Sequence, residues 1–403
     1  MRSVRRITPA TAQRGLAACV LTGVLAACSG SGNSGTHDSP PPALSSAAAL
    51  GEKIFSDASL SVSGRMSCAT CHDPAHAHGA GNPDVVVPAG GADLATPGFR
   101  KSPSLRYDFA PAFYFASDGT PTGGFNRDGR ANSLIDQGER PFLAPHEMAN
   151  GSAADVVAKL KLASYAAEFQ DVFGPNIFSD PDAAFQRMRF ALSQFQVEDA
   201  RFHPYDSKYD LFLAGRAQLT ARELQGLALF NDPTKGNCAA CHPNARGPGG
   251  APPLFTDFTY DNLGVPRNRA IPANADPAYF DLGLCGPFRA DLAGRGDLCG
   301  AFKVPTLRNI AVTAPYFHNG RFKTLKEAIG FYVRRDTNPE EFYPANPDGS
   351  IDKFDDLPPQ YRGNVNTTEV PYNRKPGQAP ALSPDEVDLV IEYLNTLTDG
   401  YQP

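Results

Sequence analysis

Cys68-Ala69-Thr70-Cys71-His72 and Cys238-Ala239-Ala240-Cys241-His242 are two copies of one pattern, C-x-x-C-H. Two thiols about one helical turn apart can each add to a vinyl group of a porphyrin. The adjacent imidazole then reaches the iron from the proximal side, so the pattern is that of c-type haem attachment. A zinc half-site needs further Cys or His nearby in numbers this chain lacks. Two copies behind an export signal favour covalent haem over a thioredoxin-like dithiol.

Working outward, each copy sits in a degenerate repeat. Gly51-Glu52-Lys53-Ile54-Phe55-Ser56-Asp57 precedes the first, and Gly226-Leu227-Ala228-Leu229-Phe230-Asn231-Asp232 the second. In the second, Thr220-Ala221-Arg222-Glu223 is a capping box opening a helix with Leu224, Leu227 and Phe230 on one face. Thr324-Leu325-Lys326-Glu327 opens another in the same way. Ser383-Pro384-Asp385-Glu386 starts a last helix, with Val387, Val390, Ile391, Leu394 and Leu397 as its apolar stripe. No long alternating strand pattern competes. The expected fold is all-α and loop-rich: two cytochrome-c-like haem domains, over residues 45–205 and 206–403, in which haem substitutes for part of the apolar core.

Residues 1–28 read as a bacterial lipoprotein signal. Arg2, Arg5, Arg6 and Arg14 precede an apolar stretch over 15–27, and Leu25-Ala26-Ala27-Cys28 would lipidate Cys28. Residues 29–44, rich in Ser, Gly and Pro, follow as a flexible tether. The chain is therefore expected in the periplasm, meeting the membrane only through its lipid anchor. Its 403 residues carry 37 Lys+Arg against 43 Asp+Glu. A leader with four Arg and no acid lowers the net charge from −6 to −10 when removed. That balance, with no basic block, excludes a nucleic-acid partner. In an oxidising compartment Cys285 and Cys299, which bracket a Gly-rich loop, are expected to form a disulfide.

What completes each iron is less legible. Beyond the leader the Met residues are Met66, Met148 and Met188, none of which follows the second haem motif, and the sole His after His242 is His318. The second iron therefore takes a ligand from the first half of the chain, or His318, or a Tyr. His76 and His78 lie close to the first motif, and their nearness to His72 in sequence argues against their reaching its opposite face.

The chain resembles the bacterial dihaem cytochrome c peroxidase/MauG family over roughly residues 47–400. Besides the haem motifs, the resemblance rests on Asp128-Gly129-Arg130 with Gln137, then Glu147-Met148. It also rests on Phe302-Lys303-Val304-Pro305-Thr306-Leu307-Arg308-Asn309 and on Ala314-Pro315-Tyr316-Phe317-His318-Asn319-Gly320. It implies that hydrogen peroxide reacts at the first haem, with Glu147 and Gln137 lining the distal pocket, while the second haem relays electrons. A carboxylate at Glu147 can move a proton between the two peroxide oxygens. The peroxidases place a Met fourteen residues beyond the His of P-Y-F-H, as ligand of the second iron. Here that count lands on Tyr332, as in the MauG branch, and an anionic oxygen ligand lowers the potential relative to Met. The resemblance thus implies a peroxidase fed by a small cytochrome c or cupredoxin. Its alternatives are a MauG-like oxidant of side chains on a protein substrate and a non-enzymatic dihaem electron carrier.

Three departures accompany the resemblance. The distal His that closes the first haem in many of the peroxidases has no clear match. The Trp that the family carries between its haems is replaced by Arg127, leaving direct haem–haem coupling or another aromatic, such as Phe125 or a Tyr, for electron exchange. The family also holds calcium between its domains. Thr313 and Pro315 match its backbone-carbonyl ligands, but Lys101 stands where an Asn side chain belongs.

Overall fold

The computed structural model describes residues 43–403. The leader ending at Cys28 and the tether up to Pro42 lie outside the described residues. Five helices carry the architecture: α1 (Ser46–Ser56), α2 (Pro181–Glu198), α3 (Ala221–Asn231), α4 (Leu325–Arg334) and α5 (Pro384–Asn395). The capping boxes at Thr220/Glu223, Thr324/Glu327 and Ser383/Glu386 are all formed, each hydroxyl accepting the N–H of the residue three positions on. Each satisfies two backbone donors that a helix start otherwise leaves unpaired.

The sequence repeat is also a packing repeat. Helix α1 lies along α2, and α3 along α5. Gly51 sits at the first crossing, where an added Cβ would fall 2.1 Å from the Ala191 carbonyl oxygen. Gly226, its counterpart, sits at the second, 2.0 Å from the carbonyl oxygen of Leu389 by the same measure. Any side chain at either position would push two helices apart. Four residues on, Phe55 and Phe230 enter the two cores and are almost wholly buried. One core runs from Leu50 to Phe202 along the chain, the other from Tyr209 to Leu397.

Two details differ from expectation. Leu224 is 44% exposed and Leu227 only partly buried, because the contact face of α3 is centred on Gly226 and Phe230. The fold is mostly helical rather than purely so. Three antiparallel ladders of two residues per strand pair Ala89–Gly90 with Thr96–Pro97, Tyr114–Phe115 with Pro121–Thr122, and Tyr260–Asp261 with Phe302–Lys303. Long Gly- and Pro-rich connections cannot stay helical, and such ladders pair some of their backbone groups. On α5, Val387, Val390 and Leu394 are buried and Ile391 is half-buried; Leu397 lies past the helix end yet is fully buried. Among the described residues no helix is long and apolar enough to cross a membrane.

Candidate haem sites

Two cavities open in the protein, one beside each C-x-x-C-H motif. Cys68, Cys71 and His72 line the first, and Cys238, Cys241 and His242 the second. Ser67 caps the helical turn Cys68–Cys71, so both thiols and the following imidazole reach the same cavity. His72 Nδ1 donates to the carbonyl oxygens of His78 and Pro103, at 3.2 and 3.1 Å. His242 Nδ1 donates to Phe255 O at 2.8 Å. A carbonyl can only accept, so these bonds place the proton on Nδ1 and leave Nε2 with a free lone pair. Burial holds both imidazoles neutral by pushing their pKa down. Burial also pushes the Cys68 and Cys71 thiols up to about 12 and 11. The donors fit thioether attachment with a proximal imidazole at each site.

The first cavity gathers Gln137, Glu147 and Met148. Gln137 ends the short helix Leu134–Gln137. Glu147 follows a turn in which its own N–H donates to Ala144 O at 2.9 Å. About a third of the Glu147 side chain remains accessible. Desolvation raises its pKa, and the nearby guanidinium groups of Arg130 and Arg140 oppose the rise. Arg130 Nη1 donates to the buried Asp128 carboxylate at 2.7 Å, which holds the Asp-Gly-Arg segment against the cavity.

Neither nearby histidine of the first motif faces this space. His76 Nδ1 is bonded to Asp73 at 2.7 Å near the surface, and buried His78 stacks on Phe202 with centroids 4.1 Å apart. Besides His72, His146 lines the cavity, its Nε2 3.6 Å from Glu147 Oε1. Phe99 packs edge-on against His146 at 5.0 Å and reaches Phe288 at 5.2 Å. Phe288 enters from the loop closed by the Cys285–Cys299 disulfide. That loop is docked by Arg289, whose Nη1 donates to Asp128 O at 2.9 Å.

In the second cavity, α4 presents Tyr332 as a partly buried phenol whose pKa is raised by desolvation and by the Asp261 carboxylate. Tyr372 lies beside it, ring centroids 5.8 Å apart. His318 lines the same cavity, stacked flat on Phe302 at 3.7 Å; burial pushes it down to about 3.

The arrangement has counterparts among known proteins. The family model for di-haem cytochrome c peroxidase matches residues 45–218. The methylamine utilization protein MauG of Paracoccus denitrificans is 35% identical over 92% of this chain and 93% of its own. The chain belongs to the di-haem cytochrome c peroxidase/MauG family. A cytochrome c551 peroxidase of Nitrosomonas europaea is 32% identical over 73% of this chain and 74% of its own. Among solved structures, the diheme peroxidase BthA from Burkholderia thailandensis E264 superposes with a TM-score of 0.81 at 39% identity, covering 89% of this chain and 87% of that one. The protein is thus a peroxidase-type oxidoreductase of a two-haem family.

Between the two sites, Arg127 lines both cavities of this di-haem peroxidase, whereas Phe125 lines neither. Phe125 is buried with Lys303 Nζ 5.8 Å from its ring centre. The aromatic residues that approach the wall are Phe302 and Phe288, with the Arg100 guanidinium between them at 5.4 and 4.9 Å. The expected calcium ligands do not fit a divalent ion, because the Lys101 ammonium donates to the Thr313 carbonyl oxygen that such an ion would need. Among the described residues no group of three or more His, Cys, Asp or Glu is placed to hold a metal ion.

Proposed function

We propose that this di-haem peroxidase reduces hydrogen peroxide at its first site with electrons relayed through its second. Its haems are attached by Cys68 and Cys71 with proximal His72, and by Cys238 and Cys241 with proximal His242. The observation that carries the reading is Glu147, a desolvated carboxyl in the cavity of the first motif, flanked by Arg130 and Arg140. When bound, the haems supply the redox chemistry: two electrons and two protons turn one peroxide into two waters.

The chain supplies the proton handling. Glu147 takes a proton from one peroxide oxygen and returns it to the other as the O–O bond breaks. A raised pKa suits it to both tasks, and the two guanidinium groups oppose the rise. The Gln137 amide donates a hydrogen bond to the peroxide. Phe99 and Phe288 exclude water from one side. At the second site Tyr332 would ligate the iron, with residues 45–205 and 206–403 forming the two haem domains.

We place the protein in the periplasm, tethered through Cys28. The Cys285–Cys299 disulfide supports an oxidising compartment. The electron donor is then a small cytochrome c or cupredoxin, and the acidic mature chain favours one with a basic face. Oxidation of a partner protein's side chains is the second reading; Tyr332, in place of Met, favours it by lowering the second potential.

The experiment is carbon monoxide binding to the fully reduced holoprotein, followed by peroxide consumption with a reduced small cytochrome. One carbon monoxide per two haems and multiple turnovers are expected. No carbon monoxide binding would mean both irons are fully ligated and the protein is an electron carrier. Binding without turnover would favour the partner-protein reading.

A further inference from the structure

The wall between the two cavities gathers three cations, of which Lys101 is buried and the two arginines partly so. Arg100, Lys101 and Arg127 all belong to it, and Lys101 and Arg127 line both cavities. Arg100 is fully matched: its Nη1 donates to Asp128 at 2.7 Å, and its Nε and Nη2 grip Asp281 at 2.6 and 2.7 Å. The other two have no such partner. Lys101 is 6% exposed and donates to a backbone carbonyl alone, while the buried Nε of Arg127 has no hydrogen-bond partner at all. Those two acids are already committed to Arg100, so the wall carries excess positive charge.

Lys101 is also one of the residues that join the two halves of the chain. Its backbone N–H donates to His318 O at 3.0 Å, and its ammonium donates to Thr313 O. One residue of the first half thereby holds both ends of the Thr313-Ala314-Pro315-Tyr316-Phe317-His318 segment, which lines the second cavity through Tyr316, Phe317 and His318. A calcium ion asks for six to eight oxygen donors. Here one of the carbonyls it would use already accepts from Lys101, and a side-chain oxygen is replaced by a positive charge.

We propose that Lys101 is a cation built into the chain that does the work of a bound metal between the two haem sites, so that the enzyme needs no calcium. The ammonium cross-links the halves through Thr313, and Arg127 beside it supplies a second positive charge. A cation buried without an acidic partner calls for an anion, and haem carboxylates are the anions the two cavities would bring to this wall. The proposal rests on both cavities being haem sites, which a haem count on the same sample checks separately.

The test uses the holoprotein, prepared with millimolar calcium and then desalted. Less than a tenth of a calcium per chain is expected by elemental analysis. Its optical spectrum, both midpoint potentials and its thermal midpoint should be unchanged by EGTA. A full equivalent of calcium, or a change on chelation, overturns the proposal. In Lys101→Met both midpoint potentials should fall, with calcium unable to restore them; potentials equal to the parent's overturn the proposal. In Lys101→Asn, which returns a side-chain oxygen, calcium should bind and restore the potentials in part. If neither variant folds, the chelation result on the parent protein still decides. A sample with fewer than two haems per chain counts against the haem reading instead.

Discussion

Glu147→Gln keeps the shape of the first cavity and removes the group that moves the proton. A positioned acid–base group contributes about 10²- to 10⁴-fold to rate, which at 1.36 kcal/mol per decade is about 3–5 kcal/mol of barrier. The structure sets where in that range the loss falls. His146 Nε2 lies 3.6 Å from Glu147 Oε1. It is held neutral by burial and by Arg140 and Arg130, which push its pKa down, so it can accept a proton in place of the lost carboxylate. We therefore expect the lower end, about 10²-fold, for Glu147→Gln, and a further loss toward 10⁴-fold for Glu147→Gln combined with His146→Phe. The assay is the stopped-flow rate constant for peroxide with the diferric protein, measured from pH 4 to 9. The reactive form of Glu147 is the carboxylate, and burial raises its pKa. The parent rate should therefore fall as pH drops through a value above the ordinary one of a glutamate. Arg140→Met removes a cation that opposes that rise and should move the acid limb to still higher pH. A loss smaller than tenfold in Glu147→Gln, with the acid limb unmoved, would refute the assignment.

At the second site, Tyr332→Met should raise that haem's midpoint potential and Tyr332→Phe should change its spectrum; spectroelectrochemistry showing neither would remove Tyr332 as ligand. Arg308 is 2% exposed and grips Asp210 through both terminal nitrogens at 2.8 Å. Arg308→Met, which strands that carboxylate, should cost about 3–5 kcal/mol in chemical denaturation, and adding Asp210→Asn should return part of it. A loss below about 1 kcal/mol would show that the carboxylate is stabilised otherwise. The Cys285–Cys299 bridge spans a sequence separation of 14. Replacing both cysteines by Ser should cost about 3 kcal/mol by the chain-entropy relation, and should loosen the Phe288 edge of the first cavity, read as faster access of a bulky ligand such as imidazole.

Local signals proved the most legible from sequence. The three capping boxes form because each needs only four consecutive residues, and the Gly51/Gly226 repeat marks the same close helix crossing twice. Leu224 misled because helical period alone does not say which part of an apolar arc a neighbouring helix covers. At the first cavity, Gln137 and Glu147 are legible only through the family resemblance. His146, Arg140 and Phe288 are not legible, since loops bring them there and no period marks a loop residue. A His immediately before a singled-out Glu was the one available signal. His76 and His78 show the converse: proximity in sequence to His72 put them on the same side as the proximal ligand, one bonded to Asp73 and one stacked on Phe202. The Lys101–Thr313 contact joins residues more than two hundred positions apart, and only the fold reveals it.

If the first site is open to peroxide at rest, as proposed, and Tyr332 lowers the second potential, the two sites share the oxidation until a donor supplies electrons. The most direct measurement is to add one equivalent of hydrogen peroxide to the as-isolated diferric protein, without any donor, and to follow the optical spectrum. The account expects a fast change to a new, long-lived spectrum involving both haems, which returns to the resting one when a reductant is supplied. No change until one electron has first been delivered would contradict it, and would mean that a side chain of the protein closes the first site at rest.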